Sequence, residues 1–137
     1  MSKALNYLGI ARMSGSIELG EDNAKALVKA GKARLLIVAE DTSPAAKRRA
    51  EGYVFGCSTP LAEVPFTKRE ISEITGSPGC SMAALRDLGL TKSFADALVS
   101  EYGESYAELA AALGAKLERA KARKGTGRKS GNRRKSE

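Results

Sequence analysis

Five consecutive apolar residues, Leu35-Leu36-Ile37-Val38-Ala39, constrain this chain more than any other segment. The run is short and carries the β-branched pair Ile37-Val38, which favours extended backbone, so it reads as a strand. Side chains alternate between the two faces of a strand, and here no position is polar, so both faces are buried. Such a strand lies inside a sheet that helices cover on each side.

The rest of the chain supplies those helices. Ala4, Leu8 and Ala11 recur at helical spacing, and Ser14-Gly15 closes that first helix. Ile17-Glu18-Leu19 alternates like a short strand. Gly20 opens a second helix with Ala24, Leu27 and Val28 inward, and Gly31 ends it. Thr42-Ser43-Pro44 has a capping residue followed by proline at the first helical position, and starts a third helix toward Tyr53. Leu61 to Val64 reads as a strand, and Thr67-Lys68-Arg69-Glu70 as a capping box for a helix ending at Gly76. Cys80 to Leu85 reads as a strand rich in small residues. Two further helices follow, Thr91 to Tyr102 and, from a second capping box at Ser105, a helix to about Ala122. This alternation predicts an α/β fold, a three-layer α/β/α sandwich on a mixed sheet of about four strands.

Charge divides the chain unevenly. Residues 119–137 hold nine Lys and Arg against Glu137, a charge of +8, which leaves −1 on residues 1–118 out of the total of +7. The expected organisation is a globular domain over 1–118 and a basic tail over 119–137. From about 125 the tail has no apolar residue to offset the entropy of ordering, and disorder is expected there. Arg128, Lys129, Arg133 and Arg134 are its candidate phosphate contacts. Gly125 to Ser130 only faintly resembles a phosphate-binding loop, since it lacks the glycine before the lysine and a preceding strand.

There is no histidine in the chain, which removes the commonest proton-transfer side chain and every Ser-His or Cys-His nucleophile. Cys57 and Cys80 stand apart from any metal-ligand spacing and read as buried, reduced thiols. No cofactor or metal is implied. No apolar run is long enough to span a membrane, and Met1 to Leu5 does not begin a secretory signal, so a cytoplasmic protein without a membrane partner is expected.

Two segments carry candidate binding residues. At Gly20-Glu21-Asp22-Asn23 a glycine at a helix start lets another backbone approach, and the short polar side chains of Asp22 and Asn23 suit base edges; spacing alone favours an ordinary helix entry with acids at its positive end. Lys25, Lys29 and Lys32 follow at i, i+4 and i+7, sharing a face suited to phosphate or to solvent. The second segment, Ser77-Pro78-Gly79-Cys80, is a turn whose Pro78 and Gly79 set the backbone before the last strand. Lys47-Arg48-Arg49 reads as a solvated surface.

Gly31-Lys32-Ala33-Arg34 through Thr42-Ser43-Pro44, with Leu8-Gly9-Ile10-Ala11 and Gly15 before it, resembles the ribosomal proteins of the L-seven-Ae/L-thirty-e superfamily, especially small bacterial members. The resemblance spans about residues 5–100. It implies binding of kink-turn or related bent RNA through the turn before the second helix and a loop before the last strand, here Ser77 to Ser81. The family's Asn-Glu pair falls on Asp22 and Asn23, and its lysine on Ala26, with Lys25 adjacent. The function expected is that of a non-catalytic RNA-binding protein of the ribosome or its assembly, with structured RNA and ribosomal proteins as partners. A protein-interaction module on the same fold and a small enzyme remain the alternatives.

Overall fold

A computed structural model describes the backbone of residues 2–131 and the side chains of residues 2–123. In order, the elements are α1 (Lys3–Ser14), β1 (Ile17–Leu19), α2 (Glu21–Lys29), β2 (Leu35–Val38), α3 (Pro44–Val54), β3 (Leu61–Glu63), α4 (Lys68–Thr75), β4 (Met82–Leu85), α5 (Leu88–Tyr102), a 3-10 turn (Glu104–Tyr106) and α6 (Ala107–Gly131). The four strands form one mixed sheet in the order β1-β4-β2-β3. β4 runs antiparallel to both neighbours, whereas β2 and β3 are parallel.

β2 has the interior place its composition requires. Leu35, Ile37 and Ala39 point to one face and pack with α1, α4 and α5. Leu36 and Val38 point to the other and pack with α2 and α3. The two cores are separated only by the sheet, which makes the α/β/α sandwich expected from the sequence. α6 adds a further layer, with Ala110 and Leu113 buried against Ala95 of α5.

Local signals explain most boundaries. Ser43 accepts a hydrogen bond from the Ala46 N–H with Pro44 in the first turn. Thr67 and Glu70 make the reciprocal capping box that opens α4. Gly9 lies inside α1 because α4 crosses there: a Cβ on Gly9 would stand 3.1 Å from Cγ1 and 3.3 Å from the carbonyl oxygen of Ile74. Two boundaries differ from expectation. α5 begins at Leu88, three residues early, because Asp87 caps it by accepting from the Leu90 N–H. The last helix opens through the 3-10 turn after Gly103, not at a Ser105 capping box. The backbone of α6 is helical to Gly131, into the segment expected to lack regular structure, and residues 132–137 lie outside the described residues.

The topology sorts the loops onto two edges. The ends of β1, β2 and β3 and the start of β4 meet at one edge, termed here the Gly20 edge. The starts of β1, β2 and β3 and the end of β4 meet at the opposite one, the Arg34 edge. With strands of three or four residues, about 10–13 Å of sheet separates them.

Candidate nucleic-acid interface

At the Gly20 edge the two candidate segments become neighbours because β1 pairs with β4. The Gly20 N–H donates to the Met82 carbonyl at 2.9 Å, extending the β1–β4 pairing by one residue. Burial pushes the Cys80 thiol above its ordinary range, and the thiol donates to the Met82 carbonyl at 3.5 Å, the oxygen that also accepts from the Gly20 N–H. Gly20 has φ 96° and ψ 153°, a conformation open to glycine alone, and Gly79 has φ 71°. A Cβ built on either would meet nothing within 4 Å. Two stretches of bare main chain, one after β1 and one ahead of β4, therefore open at the same edge of the sheet. Pro78 is exposed beside Gly79.

The β2–α3 loop locks this arrangement from below. Buried Thr42 donates its hydroxyl to the Ser81 carbonyl, and the Ala39 N–H reaches the same oxygen at 2.9 Å. Asp41 accepts from the Lys68 N–H at the start of α4. Ser72 of α4 accepts from the Cys80 N–H. The loop before β4 is thus tied to the end of β2 and to α4.

On α2, Asp22 and Asn23 are exposed at this edge. Asn23 donates through its Nδ2 to the Leu19 carbonyl at 3.0 Å, which bridges β1 and the first turn of α2 and leaves the amide oxygen outward. Lys25 sits over the Tyr53 ring, 5.4 Å from its centroid, and Lys29 donates to the Tyr53 carbonyl at 3.3 Å. Lys32 does not share their face. Gly31, at φ 76°, ends the helix before it, and Lys32 belongs to the following loop. Arg128 and Lys129 lie on the helical backbone of α6 beyond the described side chains, while Arg133 and Arg134 lie outside the described residues.

Glu21, Arg49 and Tyr53 form a cluster that the sequence did not disclose. Arg49 forks onto Glu21, with Nε at 2.6 Å and Nη2 at 2.9 Å, and the Tyr53 hydroxyl donates to the same carboxylate. These bonds, Arg49 first, lower the Glu21 pKa to about 2. The reading of Lys47-Arg48-Arg49 as plain solvated surface is corrected accordingly: Arg49 binds Glu21, and Lys47 pairs with Glu63 at 2.7 Å. The missed signal is that Arg49 and Tyr53 are four apart and so share a helix face. The cysteines also divide, since Cys80 is buried but Cys57 is exposed just past the end of α3. Among the described residues no group of His, Cys, Asp and Glu is placed to hold a metal ion.

No family model matches the chain. Over 76 residues it is 30% identical to the RNA-binding protein YlxQ of Enterococcus faecium, a match covering 56% of this chain and 73% of that protein. The chain belongs to the YlxQ family. Among solved structures, a protein of unknown function from Bacillus halodurans superposes with a TM-score of 0.66 at 19% identity, covering 72% of this chain and 98% of that one. The 15.5kD RNA-binding protein of Giardia lamblia superposes with a TM-score of 0.58 at 20% identity, covering 70% and 82%. At these identities the two structures establish the shared fold of the YlxQ-like chain.

Proposed function

We propose that this chain is a non-catalytic RNA-binding protein of the L-seven-Ae/L-thirty-e superfamily that acts in the cytoplasm, on the ribosome or during its assembly, with ribosomal proteins for neighbours. It grips folded RNA, kink-turn RNA included, at the Gly20 edge, and its basic tail adds phosphate contacts. The reading rests above all on the two glycine turns, Gly20 and Gly79, opening at one edge of the sheet, where bare main chain leaves room for a nucleic-acid backbone to approach. Asn23 and Lys25 flank that opening with an amide and a cation. The name of the YlxQ relative and the fold shared with the Giardia protein support it.

Gly20 itself is a poor probe, since any side chain there strains the turn whatever it does to RNA. Pro78 is exposed and carries no such constraint. Pro78→Glu places bulk and negative charge on the rim of the opening. Its binding to a kink-turn hairpin is expected to weaken about tenfold, or roughly 1.4 kcal/mol. Binding to an unstructured uridine strand is expected to change less than about twofold, since phosphate contacts elsewhere carry it. A folded Pro78→Glu protein, checked by circular dichroism, that binds the hairpin like wild type would overturn the proposed surface.

A further inference from the structure

α6 crosses the molecule from one edge of the sheet to the other. Near its start the Tyr106 hydroxyl donates to the Glu63 carbonyl at the Gly20 end of β3. Ten residues on, Lys116 donates to the Ser58 carbonyl, ahead of β3, at 2.6 Å. Its next turn, at Leu117, Ala120 and Lys121, lines a groove of about 490 Å³ together with Arg34, Arg86 and Leu88. The strongly basic end of the chain therefore departs from the Arg34 edge, opposite the glycine loops.

The folded residues of that groove are themselves cationic. Arg34, which precedes β2, Arg86, which follows β4, and Lys121 of α6 line it together with one acid, Asp87, while Lys116 and Arg119 lie on α6 outside the lining. Burial depresses the Lys116 pKa, and the positive charges of Arg119 and Arg34 depress it further, so each of the two lies within electrostatic reach of Lys116. The acids nearby are already engaged. Glu18 pairs with Arg86 at 2.9 Å, and Asp87 caps α5. Glu118 reaches Lys121 only at 3.9 Å, and among the described residues neither Arg34 nor Arg119 has an ion-pair partner. Cations gathered in excess of the acids among them repel one another, and an arriving anion relieves that repulsion.

We infer that the Arg34 edge is a second RNA-binding surface, a groove between α6 and the sheet that holds the phosphate backbone through Arg34, Arg86 and Lys121. This rests on the RNA-binding reading above and extends it: the molecule grips RNA at both edges of its sheet, one by shape and the other by charge. Guanidinium groups favour phosphate, because their planar fork offers two parallel donors to its oxygens. Beyond Lys121 the sequence adds seven more Lys and Arg, so phosphate contacts need not stop at the groove.

The test compares full-length Arg34→Gln/Arg86→Gln/Lys121→Gln with a variant of equal charge loss elsewhere, Lys3→Gln/Arg12→Gln/Arg69→Gln. The probe is a labelled uridine strand of roughly twenty nucleotides, titrated across a salt series. The groove variant is expected to bind at least about tenfold more weakly at low salt, with a salt slope shallower by about 2, at roughly 0.7 per lost phosphate contact. The control is expected to shift less than about twofold, as its charges act only at long range. Equal behaviour of the two variants would overturn the inference. So would displacement of the strand by polyglutamate as readily as by unlabelled uridine RNA, which would make the groove a site for any polyanion. A wild type that does not prefer kink-turn RNA would defeat the Gly20-edge reading while leaving this result standing.

Discussion

Glu21 shows how much one residue at this interface depends on neighbours that are remote in sequence. It sits in the first turn of α2, where any acid complements the helix dipole, and it also holds Arg49 and Tyr53 of α3. Because its pKa falls from 4.5 to about 2 on folding, the unfolded chain binds the proton more readily. The contribution of Glu21 to stability is therefore present above about pH 4.5 and is lost as pH falls toward 2. Glu21→Gln is expected to be less stable than wild type at pH 6, with the gap narrowing below pH 4.5 and closing only near pH 2, as thermal unfolding would record. The pair is partly solvated, so screening keeps the difference small. A constant gap across that range would show that the carboxylate charge is not what holds α2 to α3. The sequence placed Glu21 at a helix start but gave no sign of its partners, because a contact between residues 28 and 32 apart depends on how α2 and α3 cross.

Whole elements were more legible than their contacts. β2 was readable from composition alone, and its neighbours followed from it: a strand apolar on both faces demands two layers of helix. Leu36 and Ile37 are both fully buried, one toward α2 and α3 and the other toward α1, α4 and α5. Leu36→Ala and Ile37→Ala are each expected to cost about 2–5 kcal/mol in denaturant unfolding. A strand covered on one face would instead show a large cost at only one of the two adjacent positions. Element ends were less legible where a polar residue competes for the role of cap. Asp87 won over the position before Thr91 because its carboxylate reaches the Leu90 N–H, and Ser105 lost because Gly103, at φ 102°, turns the chain into a 3-10 turn first. The Gly20 turn and the Ser77–Ser81 loop were each visible as turns. Their adjacency was not, since it follows from β1 pairing with β4, and neither three-residue β1 nor small-residue β4 announces its partner.

At the scale of the molecule, the sheet separates the two proposed RNA-binding surfaces. Charge cannot distinguish one RNA sequence from another, and shape recognition alone gives slow association, so a protein that uses both gains from separate surfaces. The described contacts of α6 end at the Arg34 edge, and residues 124–137 carry six Lys and Arg against Glu137. Truncation after Arg123 leaves every described packing contact in place. It is expected to weaken binding to kink-turn and uridine RNA by the same factor and to flatten the salt slope for both, because each lost phosphate contact removes its share of counterion release. Combined with Pro78→Glu, which acts at the opposite edge, the free-energy losses on the hairpin are expected to add to within about 0.5 kcal/mol, as they do for distant sites with no shared partner. A combined loss well short of that sum would mean that tail and glycine loops hold the same phosphates, and that the RNA folds the tail back across the sheet to reach them.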